Sequence, residues 1–478
     1  MYKEKIDAYI DSKREEMIED LCTLVRINSQ RGEAKEHMPF GEGAAEVLAA
    51  AEGIAAKYGF KTKNYDNYVV AADFSDAEKG LDILAHLDVV PVTDDWKVTK
   101  PFEPKIVDGR IYGRGTADDK GPAIAALYAM RAIKELGIPM KKSVRLILGS
   151  DEECGSSDLD YYFNIEKEAP YSFTPDADFP LINIEKGRMA GGFTAEFKDG
   201  LQLPGVVSFK CGDKVNVVPQ RASMVVAGLD KETVEKAAAE AEEATGVSFT
   251  VEEYTGEKTA ETEEAWLKIS ALGQAAHAAS PQEGKNALTA SLYLLSTLPL
   301  AASEGQIALD GLNKLFPHGD VNGKTVGIFR EEEQSGPLTL CFSMLTYSPE
   351  RLDGAFDARL PIGCTEENTK IPVIEAMKEF GIVLEDKPMT KPHCVSGDSD
   401  FVKTLLGSFE RYTGIKGKPL STGGGTYVHD LERGVAFGCM MGDVDNHMHG
   451  DDEFMVLDTL FISAKIFADA ILKICNEL

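Results

Sequence analysis

Residues 3–26 place Ile6, Tyr9, Ile10, Met17, Leu21, Leu24 and Val25 at helical spacing, so the chain predicts an N-terminal helix ending before Asn28 and Ser29. An alanine-rich run predicts a second helix over about 43–58, closed by Gly59. "YVVAADF" and "LDILAHL" then predict strands. "GPAIAALYAMRAIKELG" predicts a helix with Pro122 near its first turn and Gly137 at its end. "SVRLILGS" is apolar almost throughout, as a strand covered on both faces must be. Strands alternating with helices define an α/β unit with a largely parallel sheet flanked by helices.

The pattern changes after "INIEKG". Between about 187 and 388, strand-like stretches recur near 206–211, 221–228 and 338–347, with helical runs near 231–243 and 367–380. From about 389 the first style returns, with a helix at 398–413, an apolar strand near 434–440 and an amphipathic helix at 453–475. The expected organisation is one discontinuous α/β domain, residues 1–186 and 389–478, interrupted by a large α+β insertion at 187–388. Acidic stretches near 240–265 read as solvated surface.

The length of 478 residues fits two domains better than one core. A formal net charge of −29 excludes nucleic acid and anionic membranes as partners, since both would repel it. No apolar run approaches membrane-spanning length, and "MYKEKIDAYIDSKREEM" carries too many charges for a signal peptide. The eight cysteines include no Cys-x-x-Cys pair, so reduced thiols and a cytoplasmic location are expected.

Against this background "LAHLDVV" is anomalous: His86 and Asp88 sit two apart at the end of a strand, where alternate side chains share a face. Four more polar clusters fall where strands of this sheet should end, the place where open α/β folds bind ligands. They are Asp118 and Asp119 in "GRGTADDKGP", Glu152 and Glu153 in "GSDEECGS", Asp176 in "TPDADFP", and His447 and His449 in "NHMHGDDEF". An Asp ahead of a helix can be an ordinary cap, but no capping need explains two adjacent acids after an apolar strand. So many like charges share a pocket only with a cation to neutralise them, and imidazole with carboxylate suits a hard-to-borderline divalent ion.

These motifs, in this order, resemble the dinuclear-zinc aminoacylase/carboxypeptidase G2 peptidase family, and most closely its dipeptidase V (carnosinase-like) branch. The branch is also resembled by Lys186-Gly187-Arg188, "NVVP" at 216–219, "AAHAASPQEGKNA" and "GGGTY" at 423–427. The resemblance implies two divalent ions per chain, zinc first, with manganese or cobalt as alternatives. Asp118 would bridge them, His86 and Asp176 would complete one ligand set, and Glu153 and His449 the other. Glu152 would be the general base and Asp88 would orient His86. The resemblance further implies a cis peptide between Asp118 and Asp119. His449 is favoured over His447 because the His-x-x-[Asn/Asp]-Glu spacing selects it, although this chain has Asp452 where Asn is commoner. Asp119 is expected to support, and His37, His318, His393 and His429 lack motif context.

In such proteins the inserted domain acts as a lid. Asn216, His277 and Arg359 resemble its substrate contacts, His277 as oxyanion donor and Arg359 as carboxylate clamp, with surface charge as the plainer reading of Arg359. Gly425 could add a backbone N–H. The expected function is a metal-dependent dipeptidase acting on small peptides with a free C-terminal carboxylate, in a monomer. The alternatives are an N-acyl-amino-acid deacylase (deacetylase or desuccinylase) and a non-catalytic binding protein on the same fold.

Overall fold

The computed structural model describes residues 2–256 and 265–478. The chain divides into two compact units, Met1–Glu185 with His393–Leu478, and Lys186–Pro392. The boundaries lie at 185/186 and 392/393, against the 186/187 and 388/389 read from the sequence.

In the first unit a mixed sheet runs in the order Lys61–Tyr65, Val69–Asp73, Ser143–Gly149, Lys79–His86, Ser172–Thr174, Gly434–Ala436, Ile182–Glu185 and His393–Cys394, with Leu420–Thr422 also paired to Ile182–Glu185. Its centre is parallel, from Ser143–Gly149 through Lys79–His86 and Ser172–Thr174 to Gly434–Ala436. Pairing at the Lys61–Tyr65 margin is antiparallel, and at the other margin it is mixed. Alternate residues of the central strands serve opposite faces. Ile83, Ala85, Leu146 and Leu148 enter a core shared with helices Glu42–Lys57, Lys120–Glu135 and Leu457–Glu477. Leu84 and Ile147 enter the opposite core with Leu159, Tyr162 and Tyr427. Both faces are covered, which is why "SVRLILG" has no polar alternation.

Local chemistry corrects three expected elements. The N-terminal helix is two, Lys3–Ser12 and Arg14–Val25, because the Lys13 N–H bonds to Ile10 O three residues back and leaves the α-helical pattern. The apolar run 434–440 is two short strands, Gly434–Ala436 and Cys439–Met441, separated at Gly438, whose φ of +79° is left-handed. The last helix begins at Leu457, since Phe454–Val456 is a strand paired with Arg110–Tyr112.

The second unit is an eight-stranded antiparallel sheet with helices Lys231–Thr245, Ala287–Thr297, Glu304–Leu315 and Ile371–Lys378 in its main core. The described acids of the stretch near 240–265, Glu240, Glu242, Glu243, Glu252 and Glu253, are exposed, as expected, although the stretch is not without structure. It closes the first of these helices and continues as Ser248–Glu253, paired with Trp266–Leu272, while residues 257–264 lie outside the described residues. No described helix is long and apolar enough to cross a membrane, and all eight cysteines are free.

One buried charge pair interrupts the central strands. Asp82 and Arg145 stand opposite each other in register, joined by two hydrogen bonds of 2.8 and 2.7 Å, and Ala169 N–H adds a third at 2.8 Å. Asp82→Ala would leave the buried Arg145 guanidinium, in the strand layer that carries His86, with only the Lys167 carbonyl at 2.8 Å and the Glu166 carboxylate at 3.8 Å. It is expected to cost about 3–5 kcal/mol in urea unfolding. A loss below about 1 kcal/mol would show that the pair does not hold these strands.

Candidate metal centre

Three neighbouring parallel strands deliver the first residues. His86 ends Lys79–His86, Glu152 and Glu153 follow Ser143–Gly149, and Asp176 follows Ser172–Thr174, so all leave the sheet at its carboxyl edge. The rest arrive through the pairing of Phe454–Val456 with Arg110–Tyr112, which sets the loop carrying Asp118 beside the loop carrying His449.

The result is two donor groups that share Asp118. Potential ligand atoms of His86, Asp118 and Asp176 lie within 4.8 Å of one another, as do those of Asp118, Glu153 and His449. Asp118 sends one oxygen to each: Oδ1 is 2.9 Å from His86 Nε2, and Oδ2 is 2.8 Å from His449 Nε2. Asp176 Oδ2 is 3.6 Å from His86 Nε2, and Glu153 Oε1 is 3.1 Å from His449 Nε2. His447 joins neither group; it is exposed, and its Nδ1 lies 3.2 Å from Asp451 O.

The imidazole of His86 is fixed by its other nitrogen. Nδ1 lies 3.0 Å from the backbone carbonyl of Asp88, an acceptor only, so Nδ1 carries the hydrogen. Nε2 must then bear a second proton or aim its lone pair at a cation. The expected orienting role of Asp88 is therefore shared: its carbonyl makes the close contact, and its carboxylate stands 3.4 Å from Nδ1. That carboxylate also accepts the N–H of Glu152 at 3.2 Å and of Glu153 at 3.1 Å, which orients the turn bearing both acids.

Two acids scaffold the Asp118 loop. Asp119 takes the N-cap position of the helix Lys120–Glu135, but its side chain makes no capping bond and instead accepts the backbone N–H of His86 at 3.1 Å. The Asp118–Asp119 peptide is cis. Glu453, fully buried, accepts N–H groups of Gly115, Ala117 and Asp118 at 3.0, 2.9 and 3.3 Å, and Arg114 at 2.6 Å. Arg114 in turn donates to Gly450 O, tying this loop to that of His449. Sequence reasoning gave neither residue a role, although the Arg between two glycines and the terminal Glu of the last motif were signals. Asp452, the departure noted there, sits at φ +56°, a conformation that Asn and Asp tolerate best, and its carboxylate caps Lys97 N and Val98 N rather than facing the ligands. Gly149 is required where it is, since a Cβ there would lie 2.1 Å from the Tyr427 hydroxyl. That hydroxyl donates to Asp158, which also accepts Ser150 and Asp151 N–H.

The remaining expected residues are less enclosed or lie in the second unit. Gly425 is exposed in the turn after Leu420–Thr422, and its N–H has no partner among the described residues. Asn216 and His277 are exposed on adjoining loops, bridged at Val217 and His277. Arg359 is buried and held by Asp357, so it is no surface charge. Of the histidines without motif context, His37 is exposed, His318 meets Thr289 Oγ1 and Thr245 O, His393 meets Gly434 O, and His429 lies 2.9 Å from Glu185 Oε2.

For the polypeptide alone, this crowding shifts Glu152, Glu153, Asp176, His86 and His449 toward retaining protons. Burial pushes the Glu152 carboxyl well above its ordinary value, and the charges of Asp176, Glu153 and Asp118 outlast the opposition of His86. Burial likewise raises Glu153 and Asp176. Asp118 is the exception: burial would raise it, but His449 and His86 hold it well below the carboxylate range. Burial pulls His86 down, yet Asp118, Asp176 and Asp88 keep it well above its usual value. Asp118 and Glu153 lift His449 to about 10. Glu153 Oε1 is buried and, although 3.1 Å from His449 Nε2, receives no well-directed hydrogen bond. A site short of positive charge, with oxygen and imidazole donors in two adjoining sets, fits two divalent cations.

Residues 83–473 match the profile of peptidase family M20/M25/M40. The chain is 34% identical over 482 residues to a Beta-Ala-Xaa dipeptidase of Lactobacillus delbrueckii subsp. lactis, covering 98% of this chain and 97% of that protein. Its fold is similar to that of human carnosine dipeptidase 1, with a TM-score of 0.61, 15% identity and 99% of each chain covered. A di-peptidase of Saccharomyces cerevisiae gives a TM-score of 0.58 at 13% identity, covering 99% of this chain and 98% of that one.

The raised imidazoles give a pH signature. In protein stripped of cations, the stability contributed by His449 is complete below about 6.5, the value of a free imidazole, and is lost as pH rises through about 10. A divalent ion must displace that proton, so adding zinc to chelator-treated protein at pH 7 should release at least one proton per chain into weak buffer, and affinity should rise with pH. Binding without proton release would mean that His449 is not displaced by the ion.

Proposed function

Because this chain belongs to peptidase family M20/M25/M40, we propose that it is a metal-dependent dipeptidase. It hydrolyses the amide bond of dipeptides and very short peptides that carry a free C-terminal carboxylate. The observation that carries the reading is the pair of donor groups meeting on Asp118, with Glu152 beside them: its side chain makes no hydrogen bond among the described residues, and its affinity for a proton is raised. A protein that only bound peptide would have no use for such a base.

His86, Asp118 and Asp176 would hold one ion and Asp118, Glu153 and His449 the other, zinc first and manganese second. Bound there, the ions would polarise the amide carbonyl and acidify water. Glu152 takes the water proton on its carboxylate as the oxygen adds to the carbonyl carbon, and returns it to the amine nitrogen as the C–N bond breaks. Asp88 keeps the Glu152 turn and the His86 ring in register through that transfer. In the second unit, acting as the lid, His277 offers N–H to the developing oxyanion. Arg359 takes the substrate carboxylate, aided by Asn216 and the Gly425 N–H. A cytoplasmic monomer suits the eight free cysteines and the strongly negative charge.

The separation of roles is directly testable. Glu152→Gln should keep its metal and lose turnover by on the order of 10²–10⁴-fold, as for a missing general base. Glu153→Gln should lose metal occupancy instead. Metal analysis beside dipeptide, N-acetyl and N-succinyl amino-acid assays distinguishes them; equal metal content in the two variants would overturn the assignment. Exhaustive chelation should abolish activity and added zinc or manganese should restore it, whereas full activity in verified metal-free protein would remove the mechanism.

A further inference from the structure

We infer that Arg188, within the Lys186-Gly187-Arg188 motif, is a specificity-determining residue: with Arg359 it forms a two-arginine site for the C-terminal carboxylate of the substrate. The inference rests on the dipeptidase reading above and extends it.

Arg188 and Arg359 stand directly opposite each other on the antiparallel strands Gly187–Glu196 and Arg351–Leu360. Like charges facing each other across a ladder are destabilising. Here one carboxylate answers both. Asp357, two residues before Arg359 and on the same face, is fully buried. Its Oδ1 accepts Arg359 Nε at 2.7 Å; its Oδ2 accepts Arg359 Nη2 at 3.2 Å and Arg188 Nη2 and Nε at 2.7 and 3.1 Å. Two guanidiniums thus share the one Asp357 carboxylate, Arg359 through both oxygens and Arg188 through Oδ2 alone. The Arg188 side chain is 38% exposed, and its Nη1 has no hydrogen-bond partner among the described residues. A second carboxylate, supplied by a ligand, would complete an alternating row of charges with planar, two-point geometry.

The neighbourhood within this unit is the one that a peptide terminus would meet. Thr339 faces Arg359 on the next strand and donates its hydroxyl to Ala279 O at 3.2 Å. Ala278 N–H donates to Asn216 O at 2.9 Å, and His277 bridges to Val217. Asn216, His277 and the arginine pair are thus joined by a short chain of contacts.

The test uses the full-length, metal-loaded protein with L-alanyl-L-alanine and L-alanyl-L-alaninamide. Arg188→Met should lower the preference for the acid over the amide, in kcat/KM, by about tenfold or more, the scale of one hydrogen bond to a charged group. The loss should sit in KM for the acid, and Arg188→Lys should recover part of it. An unchanged preference, or equal losses on acid and amide, would overturn the inference and leave Arg188 as a structural partner of Asp357. Should the Met variant fail to fold, the Lys variant alone must still lower the preference. Calorimetric binding of L-alanine against L-alaninamide separates the two readings. If the wild type cleaved neither peptide yet lost L-alanine affinity on Arg188→Met, the dipeptidase reading would fall and the carboxylate site would stand.

Discussion

One carboxylate facing two imidazoles governs the first unit. Asp118 can present Oδ1 to His86 and Oδ2 to His449 only if three separate chain segments converge: the strand ended by His86, the loop before helix Lys120–Glu135, and the loop before Phe454–Val456. Two of these are joined by strand pairing between Arg110–Tyr112 and Phe454–Val456. The third is joined by the Asp119 carboxylate on His86 N–H. Residues far apart in sequence are thereby held together by backbone pairing and buried hydrogen bonds before any substrate arrives, which is what a preorganised hydrolytic site requires.

The acids around this centre sort by what they bond. Asp88, Asp119, Asp158 and Glu453 accept backbone N–H groups, and those bonds hold the loops in place. The side chains of Asp176, Glu152 and Glu153 accept no backbone N–H among the described residues; Asp176 and Glu153 lie within reach of the imidazoles, and Glu152 lies beside them. A buried carboxylate without donors is costly, so the second group is tolerable only where other positive charge arrives. Scaffold and reagent are the same residue type, and the backbone contacts tell them apart. In a member of the M20/M25/M40 peptidases this gives a physical reason for so many acids in one cleft: half of them position the other half.

Much of this was legible in the sequence, and the reason is periodicity. The strands Ser143–Gly149 and Lys79–His86 are buried on both faces and the helix Lys120–Glu135 is buried on all sides from Lys120 to Ile133, so their apolar runs were plain. The polar clusters stood out because they interrupted those patterns at strand ends. What stayed hidden was set by long-range contacts. Arg114 and Glu453 are 339 residues apart, and although each stands in a conspicuous motif, neither motif names the other as its partner. Asp88 was read as an orienting carboxylate, whereas its carbonyl makes the nearer contact, a backbone geometry that no side-chain pattern encodes. The short strand Phe454–Val456 was absorbed into the helix after it, because three apolar residues continue a helical stripe as readily as they form a strand.

The two units also differ in the kind of constellation their sheets can build. Parallel strands send successive carboxyl ends to one edge, so residues that follow them converge there as loops, and acids and histidines can be packed around small ions. An antiparallel sheet instead sets individual residues face to face along its ladders, which is how Arg188 meets Arg359 with Asp357 between them. Convergence suits a compact site that handles protons and cations. Facing pairs suit a broad planar anion, for which two guanidiniums on a rigid ladder offer fixed spacing at little further entropic cost. The proposed division between bond cleavage and recognition of the peptide terminus therefore follows the division of the chain into a parallel-centred unit and an antiparallel one.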